Sequence, residues 1–487
     1  MDNTYDYNEN DIFVVSPRYH IRPNANSCII YPYDSEEAST WHVMSFIQGV
    51  ALTLFDGKRT AKEIAAILSD IMNIDIGNSN DIVKCMIKSS QSDSNKMFFE
   101  LYSSEHENGN FTIYDTAKFI KKLKGSVGYT EAMPEKLDVP LSLLIMPSNK
   151  CDVDCIYCYA HRKNVPEAEM LTLEQWCSII DEASELGIDI ITLSGGDPLT
   201  YPNIEVLLER MVLKGIKFLL PTKKFISKET AKRFSEIGMA DKAIIQVSID
   251  GYSENIDKLV RRKNYAQDAF ETIKNLMAYN LFVRTNTVCT PLNYMEVPEL
   301  LRRIHSLGVK RSSVTNYAMT HYRHKDELFL SEEQIEWVKN EVSKIKNEFN
   351  WEGLSCNAGI RDFSEKESEQ DKESWKSRSH CSGGTSSMTI TPDGSIILCE
   401  QVPQDKPFVV GNIKNSNIME IWNSQELLNF IHPDKALFKG TVCENCSEFD
   451  ECHKTYGRCF RDSYFIFNQV FGPPPNCPQA PSSCRMA

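Results

Sequence analysis

The sequence lacks the features that mark several classes of protein. It contains no apolar run of about eighteen residues, the length at which a segment becomes a candidate membrane-spanning helix. The chain has no excess of basic charge, since 53 Lys and Arg are outnumbered by 67 Asp and Glu and the formal net charge is −14. Nucleic-acid-binding proteins, in contrast, normally carry a basic surface. The first residues, MDNTYDYNENDIF, are acidic and polar and do not resemble a secretory signal. We therefore expect a cytoplasmic protein that binds neither nucleic acid nor a membrane.

Cysteine, in contrast, is abundant, with 16 cysteines among 487 residues. Without a secretory signal, this number favours metal binding over structural disulfides. A chain of this length is expected to form about two to four domains. Its hydrophobic content of 41% is sufficient for their cores.

Three closely spaced cysteines follow an apolar, strand-like segment at residues 143–146. Their pattern is Cys151-x3-Cys155-x2-Cys158. Three thiolates at this spacing can hold three irons of a 4Fe–4S cluster and leave the fourth iron without a protein ligand. Such an iron is able to bind a substrate or a cofactor. The alternatives are unpaired or buried cysteines, or part of a zinc site.

The middle of the chain, residues 141–325, alternates strand-like and helix-like segments. The predicted strands are residues 143–146, 189–193, 217–220, 243–247, 283–288 and 309–314. The predicted helices are residues 173–186, 204–214, 228–237, 269–279 and 294–307. Such an alternation with right-handed crossovers predicts an α/β fold with a parallel sheet, here a partial (β/α)6 TIM-like barrel.

Distinctive loops follow three of these predicted strands. The cysteine motif follows the first strand, the sequence SGGDP (residues 194–198) follows the second, and Ser248 and Asp250 follow the fourth. In barrels of this kind the chemistry lies at the C-terminal ends of the strands. Considered singly, Ser248 and Asp250 could simply end a strand, and the glycine pair could be an ordinary strand–helix turn.

These motifs resemble those of the radical SAM superfamily. The cysteine motif matches its cluster motif, and residues 194–198 resemble its GGE motif with aspartate in place of glutamate. The resemblance implies that S-adenosylmethionine (SAM) binds the open iron of a 4Fe–4S cluster. It also implies a set of SAM-binding residues: Tyr157, Ser194, Gly195, Gly196, Asp197, Ser248 and Asp250. Arg261, or Arg262 beside it, is expected to bind the SAM carboxylate by charge, although either arginine could instead lie at the surface.

A second group of cysteines lies near the C-terminus and resembles the SPASM extension, which carries two auxiliary 4Fe–4S clusters. The resemblance implies one cluster on Cys443, Cys446, Cys452 and Cys477, and another on Cys381, Cys399 and Cys459. Six residues separate the cysteines at 452 and 459, where the family usually has three. Cys356 or an open iron could complete the second cluster, and Cys484 could replace Cys477. A competing interpretation is a zinc ribbon on the cysteines at 443, 446, 452 and 459.

The first hundred residues read as a small α+β unit. Short β segments precede a turn at residues 54–59, and Thr60 with Glu63 forms a predicted capping box that opens a helix through Leu68. A second helix is predicted near residues 81–89. This pattern resembles the winged-helix-like RiPP precursor recognition element, which implies that residues 1–100 bind a leader peptide, for example by strand addition. The alternative is a dimerisation or purely structural domain.

The remaining segments are a predicted connector (101–140), a bridging region (326–380) and the auxiliary iron–sulfur domain (381–487).

The resemblances together imply a maturase that uses a 5′-deoxyadenosyl radical to form thioether crosslinks, of the sactipeptide or ranthipeptide type, in a ribosomal precursor peptide. Three 4Fe–4S clusters and an electron donor such as flavodoxin or ferredoxin are expected. The alternatives are carbon–carbon crosslinking, epimerisation, oxidation of serine or cysteine as in sulfatase maturation, or a metal-bearing peptide-binding scaffold without turnover.

Overall fold

The structure is a computed structural model that divides into two compact units, Met1–Leu141 and Ser142–Ala487. It describes residues 8–25, 27–33, 41–91, 101–103, 111–122, 136–161, 163–359, 381–455, 458–475 and 477–480. None of the helices in these ranges is long and apolar enough to span a membrane.

The first unit contains two antiparallel sheets and four helices in its described part. One sheet has the strand order β5-β1-β6 and the other β2-β3-β4. The strands are β1 Ile12–Val15, β2 Tyr19–Asn24, β3 Ser27–Pro32, β4 His42–Ser45, β5 Asp56–Thr60 and β6 Leu101–Ser103. The helices are α1 Phe46–Leu54, α2 Ala61–Met72, α3 Ile76–Gln91 and α4 Thr116–Lys122.

The predicted capping box at the start of α2 is present. The Glu63 backbone N–H donates to the Thr60 hydroxyl at 3.2 Å, and the Glu63 carboxylate accepts from the Thr60 N–H at 2.8 Å. The buried face of α2, including Ile64 and Leu68, packs into one core with residues of α1 and α3. Helix α1 was not among the sequence predictions, although it opens with its own capping box between Ser45 and Gln48.

The described residues of the predicted connector, within 101–140, belong to the first unit. Strand β6 pairs with β1, and the Ile21 N–H donates to the Tyr114 hydroxyl at 3.1 Å. The Arg22 guanidinium donates to the carbonyl groups of Val139 and Pro140 at 2.8 and 2.9 Å. These contacts explain why the compact unit extends to Leu141 and does not end near residue 100.

The second unit is built on one ten-stranded sheet with the order β13-β12-β11-β10-β9-β8-β7-β14-β15-β16. Its strands are β7 Ser142–Ser148, β8 Ile190–Gly195, β9 Lys217–Thr222, β10 Ala243–Ser248, β11 Phe282–Cys289, β12 Arg311–Asn316, β13 Leu354–Cys356, β14 Ser387–Ile390, β15 Ser395–Ile397 and β16 Val409–Asn412. Its helices are α5 Leu173–Leu186, α6 Ile204–Leu213, α7 Lys228–Glu236, α8 Glu254–Val260, α9 Tyr265–Met277, α10 Val297–Ser306, α11 Glu332–Glu348, α12 Ile418–Trp422, α13 Gln425–Ile431, α14 Phe449–Thr455 and α15 Phe460–Phe467.

All six predicted barrel strands are present, as β7 to β12, and they pair in parallel in chain order. The partial α/β barrel is therefore confirmed. The sixth strand is shifted by two residues, to Arg311–Asn316. The sheet is also longer than predicted, because β13 adds a parallel strand beyond β12 and β14 adds one beyond β7.

Candidate active site

A cavity of about 300 Å³ lies at the C-terminal ends of the parallel strands. Its lining joins the loops that the sequence singled out with the ends of strands β9 to β12. The predicted site residues in this lining are Cys151, Cys155, Tyr157, Cys158, Ser194, Gly195, Gly196, Asp197 and Ser248. The sequence therefore located the cavity through loops that are separated by up to about a hundred residues in the chain.

The cysteine loop is held by backbone contacts to the barrel. The N–H groups of Asp154 and Ile156 donate to the carbonyl groups of Val260 and Leu259, each at 2.9 Å. Cys155 is buried, and burial raises the pKa of its thiol to about 12. A thiol in this environment becomes a thiolate when a metal ion is bound to it, because the metal stabilises the charge that burial opposes.

The glycine pair lets the second loop pack directly against the cysteine loop. Gly195 has φ = +106°, and the Gly196 N–H donates to the Ser148 carbonyl at 2.8 Å. A Cβ atom at Gly196 would overlap the Lys150 carbonyl oxygen. Both positions therefore require glycine: Gly195 for its left-handed conformation and Gly196 for the close approach of two backbones.

Asp197, which stands where the family pattern has glutamate, uses its carboxylate inside the protein. It accepts hydrogen bonds from the Thr222 hydroxyl at 2.8 Å and from the N–H groups of Lys223 and Leu199 at 2.7 and 3.1 Å. Burial raises the pKa of this carboxyl group, and the hydrogen bonds oppose that effect. The residue connects the end of β8 to the end of β9 and so fixes the shape of the loop that lines the cavity.

Asp250 lies behind the cavity wall and has no exposed surface. It accepts from the Tyr157 hydroxyl, from the Lys223 ammonium at 2.9 Å and from the Val288 N–H at 2.8 Å. Asp250 therefore acts on the cavity by holding Tyr157 and Lys223, both of which line it. Sequence reasoning missed Lys223, and the available signal was its position directly after a predicted barrel strand.

Neither arginine proposed for the SAM carboxylate lies in the cavity lining. Arg261 adopts a left-handed conformation at the end of α8, and its half-exposed guanidinium pairs with Asp154 at 2.8 Å. Arg262 pairs with Asp268. Positive charge alone suggested these residues, but the turn at the end of α8 directs them to carboxylates outside the cavity.

Four C-terminal cysteines surround a second cavity of about 290 Å³: Cys443, Cys446, Cys452 and Cys477. Cys459, the fourth member of the alternative zinc-ribbon quartet, is not part of this lining. In the described ranges, no group of three or more Cys, His, Asp or Glu residues is arranged to hold a single metal ion. A tetrahedral zinc ion needs four ligands at about 2.0–2.3 Å, whereas thiols arranged around a cavity suit the larger cube of a 4Fe–4S cluster.

Cys381, Cys399 and Cys459, the residues predicted to hold the other auxiliary cluster, are called the third cysteine site below; Cys381 lies close enough to act electrostatically on the other two. Burial raises the pKa of Cys399 and of Cys459 to about 12, and the charge of Cys381 contributes to both shifts. Cys356 is not beside them: it ends β13 at the far edge of the sheet, close to Cys289. Cys484, the other proposed substitute ligand, lies outside the described residues.

A short segment connects this third site to the first cavity. Glu400, next to Cys399, accepts hydrogen bonds from the Ser194 and Tyr159 hydroxyls. Gln401 lines the first cavity and accepts from the guanidinium of Arg461. Burial raises the pKa of Glu400. Sequence reasoning missed Glu400, because a single glutamate after a cysteine is not a distinctive pattern.

Comparison with known families agrees with this geometry. Residues 145–304 match the radical SAM superfamily, and residues 381–448 match the SPASM iron–sulfur cluster-binding domain. The chain therefore carries a radical SAM domain followed by a SPASM domain. The site residues fit the cofactors of this class, since three thiols share a cavity with a glycine-lined loop and further thiols occupy the C-terminal region.

Individual relatives extend the similarity over most of the chain. The PqqA peptide cyclase of Gluconobacter oxydans is 21% identical over 353 residues, which is 71% of this chain and 93% of the relative. The PqqA peptide cyclase of Methylorubrum extorquens is 22% identical over 363 residues, or 72% and 89%. The crystal structure of Streptococcus suis SuiB has a TM-score of 0.60 at 18% identity, covering 92% of this chain and 96% of SuiB. SuiB has also been solved bound to the precursor peptide SuiA, with a TM-score of 0.59.

Proposed function

We propose that this chain is a radical SAM enzyme that forms thioether crosslinks in a ribosomally synthesised peptide. The observation that carries the proposal is the cavity itself, where three thiols, the glycine pair and the ends of the barrel strands meet. A cluster on Cys151, Cys155 and Cys158 would leave an open iron for SAM. When bound, SAM and the reduced cluster supply radical chemistry able to remove a hydrogen atom from an unactivated carbon.

The protein's own residues then position the reactants. The glycine pair places the 194–198 loop against the cysteine loop, and Asp197 fixes that loop to β9. Asp250 orients Tyr157 and Lys223 at the cavity wall.

Two auxiliary clusters complete the proposed cofactor set. We assign one to Cys443, Cys446, Cys452 and Cys477, which surround a single cavity. We assign the other to Cys381, Cys399 and Cys459. Together with the radical SAM cluster these make three, reduced by a donor such as flavodoxin or ferredoxin.

The third cysteine site supports the choice of a thioether. It offers three cysteines in the described region. Glu400 and Gln401 connect it to the first cavity, which is called the SAM cavity from here on. An iron at this site without a fourth cysteine could bind a substrate thiolate. A carbon–sulfur bond also leaves one surplus electron, and a neighbouring cluster is a suitable acceptor.

The peptide substrate is supported by the relatives and by the N-terminal unit. Similar proteins include a peptide cyclase and a protein solved with its precursor peptide. The first unit also contains short three-stranded sheets, and sheet edges can bind extended peptides by strand addition. We propose that this unit recognises the leader.

Carbon–carbon crosslinking is the second candidate. It is favoured by the similarity to proteins described as peptide cyclases. That description names the closure of a ring and does not mention sulfur. The two candidates share the SAM cavity and differ in the atom that bonds to the carbon radical.

Mass spectrometry of the product distinguishes the two candidates. The reconstituted protein would be incubated anaerobically with reductant, SAM and a cysteine-containing peptide encoded beside its gene. We expect a product lighter by two hydrogens per crosslink, with the crosslinked cysteines protected from alkylation. A product with the same mass loss that alkylates at every cysteine would contradict the thioether and favour a carbon–carbon bond.

The same assay tests the third cysteine site. Cys459→Ala should still yield 5′-deoxyadenosine but no crosslinked peptide, because the radical site retains its own ligands. The matched control is Cys177→Ala, on helix α5 and outside the three proposed clusters. Normal crosslinking by Cys459→Ala would contradict the assignment of this cysteine.

A further inference from the structure

Lys223 is the only cationic side chain among the described residues that line the SAM cavity. It directly follows strand β9, and its side chain is only 13% exposed. The same cavity wall contains Cys151, Cys155 and Cys158. A buried lysine at this position is costly unless its charge is paired or used.

Lys223 contacts all three of the loops that the sequence singled out. Its backbone N–H donates to Asp197 at 2.7 Å, and its ammonium group donates to Asp250 at 2.9 Å and to the Ser248 carbonyl at 3.3 Å. The ammonium nitrogen also lies 5.8 Å from the centre of the Tyr157 ring, within the range of a cation–π contact. These contacts hold the charge at one place in the wall.

Lys223 is ion-paired with Asp250 at 2.9 Å, and it also shares the cavity wall with the three cysteines. Three thiolates bring negative charge into the cavity, and adding an electron to a cluster on them increases it. A fixed cation nearby favours that reduced state, and the effect is strong where water is partly excluded. Asp250, the ion-pair partner of Lys223, offsets part of this charge, but Asp250 does not line the cavity.

We propose that Lys223 is a positioning residue whose cation favours the one-electron-reduced state of the cluster bound by Cys151, Cys155 and Cys158. The inference rests on the proposed function, because it requires that cluster. Unlike Arg261 and Arg262, Lys223 lines the cavity.

The test is an anaerobic redox titration of the reconstituted full-length protein with titanium(III) citrate. Electron paramagnetic resonance would follow the iron–sulfur signal that changes when SAM is added. Lys223→Gln should shift the midpoint potential of that signal to a more negative value. Lys223→Arg, which keeps the charge, should retain a midpoint close to that of the unmodified protein.

Lys224→Gln provides a matched control. This variant removes the same charge from the neighbouring residue. The Lys224 ammonium group donates to the Leu199 carbonyl at 3.0 Å, and Lys224 does not line the cavity. Its midpoint potential should be unchanged. If Lys223→Gln fails to fold because Asp250 loses its partner, the double variant Lys223→Gln/Asp250→Asn is compared with Asp250→Asn alone. The double variant should titrate below Asp250→Asn, because the two proteins differ only in the charge of residue 223.

Three results would overturn the inference. An unchanged midpoint in Lys223→Gln, or equal midpoints in the double variant and in Asp250→Asn, would show that the charge of Lys223 does not act on the cluster. An equal shift in Lys224→Gln would show that any nearby charge suffices. A protein in which no iron signal responds to SAM would overturn the proposed function as well, so the two failures are distinguishable.

Discussion

At Gly196 the chain has no room for a larger side chain. The residue lies against the backbone of Asn149 and Lys150, just before the cysteine motif, and hydrogen bonds at 2.7 and 2.8 Å join the two loops. The position of the three thiols therefore depends on a glycine at residue 196, which belongs to a different loop.

Gly196→Ala should displace the cysteine loop, because the added methyl group would overlap backbone atoms that cannot move independently. We expect the free energy of unfolding to fall by about 3 kcal/mol. We also expect most of the iron of the first cluster to be lost. Chemical denaturation and iron analysis measure the two effects. Gly359→Ala is the control, since a Cβ atom there meets nothing within 4 Å, and full iron content in Gly196→Ala would contradict this account.

Motif residues were predictable from sequence, whereas isolated residues were not. The cysteines and the glycine pair stand in short, distinctive spacings after apolar strands, so their position at the sheet edge followed from the fold. Lys223 and Glu400 are common residue types, and their roles depend on partners from distant parts of the chain. Arg261 was chosen by charge alone and pairs with Asp154, a contact that the sequence does not encode locally.

At the scale of elements, the barrel strands were easier to predict than their continuation at both edges. Strands β7 to β10 are largely apolar and are separated by amphipathic helices, a pattern that favours parallel pairing. Strand β12 is largely polar, and its predicted position was shifted by two residues. Strand β13 has only three residues and β14 four, which is too short for a clear pattern. Helix α11 lies in the region predicted only as a bridge.

The N-terminal unit gives a prediction about truncation. Deleting residues 1–141 removes a complete unit, and we expect SAM cleavage to continue because the second unit has its own sheet and cavity. Peptide modification should fall steeply at low peptide concentration, since leader binding raises the effective concentration of the substrate. The two rates are measured in parallel by chromatography and mass spectrometry.

Deleting only residues 1–100 provides the comparison. It would leave β6 without β1 and expose Phe119, which is buried in the core of the first unit. We expect that shorter deletion to be less soluble than the complete one. An unchanged rate of peptide modification after deletion of residues 1–141 would contradict the proposed leader-binding role.

At the scale of the whole molecule, the second unit combines two family domains on one continuous sheet. Strand β14, within the SPASM region, pairs in parallel with β7 of the barrel, next to the cysteine loop. Glu400 and Gln401 extend the connection to the SAM cavity. This continuity links the region of Cys399 to the cavity, which is the arrangement that the proposed crosslinking reaction would use.

The most direct test of the central claim is reductive SAM cleavage by the anaerobically reconstituted protein. We predict 5′-deoxyadenosine and methionine in equal amounts, from a protein that holds about twelve irons if all three clusters are present. Changing Cys151, Cys155 and Cys158 together to alanine should abolish both products and remove about four irons. Fully loaded protein that yields no 5′-deoxyadenosine, or a triple variant that yields as much as the unmodified protein, would contradict the account.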